Sequence, residues 1–228
     1  MSEETRKYKM IIKYSRHGAA KYISHLDMQR AFGRAVRRAQ LPAEYSQGFN
    51  PHIVMSFASP LSVGYATNGD YLEVGLTEPV DTQEAKAALN AVMPRDIRIL
   101  DVRDAGEHAK KLMAQNYSAC YFIHFHFENE QDCDKIKAVV RDLMEKDVWP
   151  AVDRRGKQLN IRPLVLDMAT EDGRRVSALL KNASDGALNP AVLAKALLLA
   201  ADAGAEYDIC REDCFALKDG EMKPFSIL

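Results

Sequence analysis

A chain of 228 residues, 47% apolar and 28% charged, is long enough to bury one large core or two smaller ones and has an ordinary globular composition. Its net charge of −1 excludes a uniformly basic nucleic-acid binder. The four cysteines lack framework spacing and suit a reducing cytoplasm, and no apolar run is long enough to span a bilayer, so no membrane association is expected. The opening MSEETRKYK has no apolar core of the kind a secretory signal needs.

Charge is distributed unevenly. Between Thr5 and His52 ten Lys or Arg face only Asp27 and Glu44, and the chain from Ile53 onward is net acidic. A positive patch on a mildly acidic body suits docking of phosphate or an acidic partner; it is also what a solvated basic surface looks like.

In chain order, Tyr8, Met10, Ile12 and Tyr14 alternate with Lys7, Lys9, Ile11 and Lys13, the period of a strand with one buried face. Ser24 is a good N-cap, with Asp27 three residues on. The helix that follows places Met28, Ala31, Phe32, Ala35, Val36 and Ala39 on one apolar face and ends before Pro42. Arg30, Arg34, Arg37 and Arg38 fall within an arc of about 100° on the opposite side. Stacking like charges costs a few tenths of a kcal/mol per pair, so the pattern suggests an anion in view. The loop from Glu44 to His52 holds the turn-formers Gly48, Asn50 and Pro51 around Tyr45 and Phe49. Strands are expected at Ile53–Ala58, Tyr71–Leu76 and Ile97–Val102, and a helix at Thr82–Met93.

This βαββαβ order predicts a ferredoxin-like unit over residues 1–104, two helices covering one face of an antiparallel sheet and leaving the other open. Asp104–Lys111 reads as a charged linker. Over 112–228 the pattern recurs: strand Tyr117–Phe127, helix Gln131–Lys146, strands Trp149–Asp153, Asn160–Met168 and Arg174–Leu180, helix Pro190–Ala203 and strand Tyr207–Leu217. The predicted fold class is therefore α+β, two tandem ferredoxin-like units with antiparallel sheets, the second carrying an extra strand or hairpin.

The run Ser24-His25-Leu26-Asp27, Arg37-Arg38-Ala39, Ser46-Gln47-Gly48-Phe49-Asn50-Pro51-His52 and Pro60-Leu61-x-x-Gly64 resembles the N-terminal signature of the radical-SAM-linked family, bacterial proteins of unknown function. In that family the domain occurs alone or fused behind a radical SAM protein with a cobalamin-binding-type domain. The resemblance implies a partnership with a radical SAM protein, on RNA, and supplies no catalytic residues. The chain lacks the CxxxCxxC cluster motif and so is not itself the radical SAM enzyme; no cofactor of its own is expected.

If RNA binds, Arg30, Arg34, Arg37 and Arg38 would hold phosphates as bidentate donors, with Tyr45, Ser46, Gly48, Phe49 and Asn50 completing the site. Tyr45 and Phe49 can stack on unpaired bases; for Phe49 the favoured expectation is instead a loop anchor packed into the core. His25, Asp27 and His52 would converge if the loop folds over the helix N-terminus, giving a phosphate site or an acid–base pair. Otherwise His25 is a first-turn side chain and His52 a strand-edge residue. His124, His126 and Glu128 share one strand face, a spacing that can bind a transition metal and is more often the polar side of a half-exposed sheet. Three functions follow: an accessory RNA- or anion-binding module beside a radical SAM enzyme, a metal-independent ribonuclease built like the tandem ferredoxin-like RNA-processing proteins of CRISPR systems, and a non-catalytic protein adaptor.

Overall fold

A computed structural model describes residues 8–106 and 110–227. It is mixed α+β, and it divides into two compact units: one takes the chain up to Asn116 together with the stretch from Pro224, the other Tyr117–Lys223. The middle of the expected charged linker, residues 107–109, lies outside the described residues. None of the described helices is long and apolar enough to cross a membrane.

In the first unit the order is β1 (Tyr8–Arg16), α1 (His25–Arg38), β2 (Met55–Phe57), β3 (Ala66–Leu76), α2 (Thr82–Val92), β4 (Ile97–Asp104) and α3 (Leu112–Gln115). β1 lies between β3 and β4, antiparallel to both, and β2 pairs antiparallel with β3, so the sheet runs β4-β1-β3-β2. Met10, Ile12 and Tyr14 of β1 and Leu72, Val74 and Leu76 of β3 share one core with Met28, Phe32, Ala35 and Val36 of α1 and with Ala85 and Leu89 of α2. Both helices therefore cover the same face, as the alternation of β1 dictates.

The opposite face departs from the expectation of an open sheet, since all six residues from Tyr71 to Leu76 are buried. Phe225, itself fully buried, sets its ring edge-on to Tyr71 with centroids 5.4 Å apart, and Arg103 donates to the Phe225 carbonyl. The short helix α3, which falls between the charged linker and the strand expected from Tyr117, also lies against β2 and β3.

α1 forms where its sequence places it. Ser24 Oγ accepts from the Asp27 amide at 3.2 Å and donates to the Asp27 carboxylate at 2.8 Å, satisfying an amide that the first turn leaves without a carbonyl. Phe32 anchors the helix: it is fully buried, edge-on to Tyr14 at 4.9 Å and to Phe57 at 5.7 Å.

The second unit holds β5 (Asn116–His126), α4 (Glu130–Glu145), β6 (Pro150–Val152), β7 (Gln158–Asn160), β8 (Val165–Thr170), β9 (Arg175–Ala183), β10 (Gly186–Ala187), α5 (Pro190–Ala200), β11 (Glu206–Lys218) and β12 (Glu221–Pro224). β9 pairs with β5 on one side and with β8 and β10 on the other, and β11 follows β5 and also pairs with β12. β6 and β7 form a separate hairpin. The strand expected over Asn160–Met168 is split, because Pro163 has no amide to give a ladder and sits in a 3-10 turn at Arg162–Leu164. Asn160 stitches the break by accepting from the Trp149 and Arg162 amides through Oδ1.

Replacing Phe32 with Ala removes the ring that seats α1. The expected loss is about 3–5 kcal/mol of stability, read as a lower denaturant midpoint with an unchanged slope.

Candidate functional site

The arginine helix and the loop after it enclose a groove of about 500 Å³. Leu26, Gln29, Arg30, Gly33, Arg34 and Arg37 of α1 form one wall, at the i, i+3, i+4, i+7, i+8 and i+11 positions of a single stripe; Pro51, His52, Ile53 and Met55 form the other. Among the described residues no carboxylate lines it, and His52 is its single imidazole.

The loop is a braced hairpin. At its base the backbones of three residues close a triangle: Glu44 donates to Gly75 at 2.8 Å, Gly75 to Val54 at 2.8 Å and Val54 to Glu44 at 2.9 Å. Glycine suits position 75 because a Cβ there would meet the Glu44 side chain at 2.6 Å. Ala43 bridges to Leu76 and Tyr45 to Ile53, so both ends of the loop are tied to β3. Further out, the Ser46 amide donates to the His52 carbonyl at 2.8 Å and the His52 amide to Ser46 Oγ at 3.1 Å; the same hydroxyl holds His52 Nδ1 at 2.8 Å. The imidazole is thus fixed through one nitrogen. Beyond it Gln47, Gly48, Phe49, Asn50 and Pro51 are exposed, and Gly48 takes the left-handed φ of +120° that closes the tip.

The four arginines divide by role. Arg30 donates to Asp27 at 2.9 Å, an exposed i, i+3 pair that solvent screens. Arg38 turns away and donates to the Val92 carbonyl at the end of α2, at 2.7 Å; it does not line the groove. Its expected role on an anion gives way to a structural one, because position 38 lies at the edge of the arc, beside α2. Arg34 and Arg37 are exposed, line the groove and have no carboxylate within salt-bridge distance among the described residues.

One expectation is overturned, and one open alternative is decided. Phe49 is not a core anchor but fully exposed, because the hairpin is held at its base by backbone hydrogen bonds and needs no apolar plug at its tip. His25, Asp27 and His52 do not share the groove: His25 packs edge-on against Phe57 at 5.1 Å, and Asp27 is bound to Ser24 and Arg30, so of the three only His52 lines it. The groove runs along the side of α1 rather than over its N-terminus, and binding there falls to side chains. Tyr45 stands on the hairpin arm, partly exposed, and Asn50 at its tip.

In the second unit His124 and His126 are exposed on alternate positions at the end of β5, whereas Glu128 lies past the strand, in a bend, so the three do not share one strand face. His126 pairs with Asp208 at 3.0 Å and stacks edge-on with His124 at 5.0 Å. Among the described residues no set of three or more His, Cys, Asp or Glu is placed to hold a metal. The four cysteines are all free thiols, and burial pushes the Cys120 and Cys133 thiols upward, away from reactivity.

Sequence reasoning missed the groove's uncharged lining of Leu26, Gln29, Gly33, Pro51, Ile53 and Met55. One signal was available: a glycine inside a helix costs about 1 kcal/mol against alanine, and Gly33 marks the stripe of α1 that faces Met55, whose Cε lies at ordinary contact distance, 3.6 Å, from where a Cβ would be.

Fold and site together define a mixed α+β protein with a basic, side-chain-lined groove. The model of a family described as "Uncharacterized protein conserved in bacteria (DUF2344)" matches residues 9–190, and the chain belongs to that family. No curated protein matches the sequence. Among solved structures, one titled as an unknown protein from Galdieria sulphuraria is 11% identical over 90% of this chain and 98% of its own, with a TM-score of 0.29.

The Ser24 hydroxyl, and after it the Arg30 guanidinium, hold the Asp27 carboxyl below the usual carboxylate range. A lowered folded-state value means stability that is present at neutral pH and lost as pH falls through it. The wild type should be more stable than Asp27→Asn at pH 7, and the gap should close as acid titrates Asp27 below about pH 4; urea midpoints of both proteins across that range test this.

Proposed function

We propose that this protein is an accessory RNA-binding module that works beside a radical SAM enzyme in the cytoplasm, with the groove between α1 and the hairpin as its phosphate site. The observation that carries the reading is the pair of exposed guanidiniums, Arg34 and Arg37, which line a groove without a carboxylate and are not neutralised by one among the described residues. Planar forks of this kind bind phosphate oxygens two at a time. Phe49 supports RNA over a small inorganic anion. A fully exposed ring on a hairpin whose base is braced is a platform for an unpaired base, worth about 1–3 kcal/mol per stacked base.

We also infer that each unit is ferredoxin-like. In support, the strand order β4-β1-β3-β2 of the first unit is matched in the second by β11-β5-β9-β8, with the β6–β7 hairpin inserted after α4. The partnership with a radical SAM enzyme rests on the resemblance of the Ser24–His52 signature. A ribonuclease reading is weaker, since the groove offers one imidazole and neither His25 nor a carboxylate to complete an acid–base pair.

Fluorescence anisotropy with a labelled single-stranded RNA tests the binding reading. Log affinity should fall linearly with log salt, and Arg34→Glu with Arg37→Glu should abolish binding at 0.15 M salt while circular dichroism stays unchanged. The milder double change to Gln should reduce the salt slope by roughly 0.7 for each phosphate that the protein no longer neutralises. Unaltered affinity in the folded Glu variant would remove the groove from RNA binding.

A further inference from the structure

The charges in the groove bear on which form of phosphate it takes. Arg34 and Arg37 are three residues apart on one helix face, which puts their Cβ atoms about 5–6 Å from each other. Arg30 is already matched by Asp27. His52 comes from the opposite wall, and because Ser46 Oγ occupies Nδ1, Nε2 is the ring nitrogen left for a ligand. Among the described residues the site therefore offers two guanidiniums without a carboxylate partner, one further nitrogen and no carboxylate.

An internal phosphodiester carries one charge on two unesterified oxygens, so it leaves one of the two guanidinium charges unmatched and offers no third oxygen to the imidazole. A phosphate monoester carries about −1.5 to −2 at neutral pH on three free oxygens, one charge for each unmatched arginine. The volume of about 500 Å³ lies within the range of sites for one small ligand. Resting on the reading of the groove as a phosphate site, we propose that it selects a phosphate monoester. Arg34 and Arg37 take its oxygens, His52 Nε2 takes the third, and Ser46 is the positioning residue that holds the imidazole toward it. Such a monoester comes from the end of an RNA strand or from a free nucleotide, and in the first case Phe49 takes a base of the same strand.

The test uses the full chain and one RNA decamer in three forms, 5′-phosphorylated, 3′-phosphorylated and with hydroxyls at both ends, each with and without adenosine monophosphate as competitor. A phosphorylated form should bind at least tenfold more tightly than the hydroxyl form. The end that carries the gain names the source, and a free nucleotide is the source if the monophosphate displaces every RNA at a lower concentration than the phosphorylated decamer needs. Ser46→Ala should lower the ratio of phosphorylated to hydroxyl affinity, and Ser46→Thr should restore it; a purely structural role would weaken both forms alike. Equal affinity for all three RNAs, with binding still lost in the Arg34→Glu, Arg37→Glu protein, overturns the monoester inference and leaves the phosphate reading standing. Binding unchanged in that double variant overturns both.

Discussion

The groove exists because two walls are held on one sheet by different means. One wall, α1, is seated by Phe32 between Tyr14 and Phe57. The other, the hairpin, is held by the triangle of backbone hydrogen bonds among Glu44, Val54 and Gly75. Backbone bonds do not depend on which side chains the loop carries, so the tip is released from packing. That release is what lets Phe49 and Asn50 stand in solvent and His52 face the arginines.

The cost of crowding arginines onto α1 is met locally in three ways. Asp27 in the first turn pairs with Arg30 and complements the positive end of the helix; Arg37 and Arg38 sit in the last turn, where cations are favoured; and Arg38 is drawn off to the Val92 carbonyl. What is left over is Arg34 and Arg37, on the face that meets the hairpin. The four-residue row is therefore one ion pair, one helix-to-helix strut and two residues free to meet a ligand, and its chemistry is narrower than its composition.

Much of the first unit could be read from residue order. The alternation of Tyr8 to Tyr14, the Ser24 cap, the stripe from Met28 to Val36 and the stops at Pro42 and Pro94 are local signals, and each element lies within a few residues of where they put it. Local signals failed where a segment's environment is made by distant residues. The order of elements predicted a sheet with one open face, but Tyr71 is covered there by Phe225, more than 150 residues on, and Glu73 is buried and paired with Lys9. The expected strand across Pro163 broke because a proline inside a run removes a ladder hydrogen bond, a local signal that outweighs the strand-formers on either side of it.

By itself, the sequence determined that this is an α+β protein of a conserved bacterial family, that α1 carries its core on one side and arginines on the other, and that a turn-rich loop follows. These rest on periodicity and capping, which act over a few residues. Only the tertiary structure decided which arginines remain unmatched, that His52 and not His25 joins them, and that Phe49 points to water. Those outcomes depend on what meets each side chain across the fold, Val92 for Arg38, Phe57 for His25 and Gly75 for the hairpin base, and such meetings are set by packing rather than by spacing along the chain.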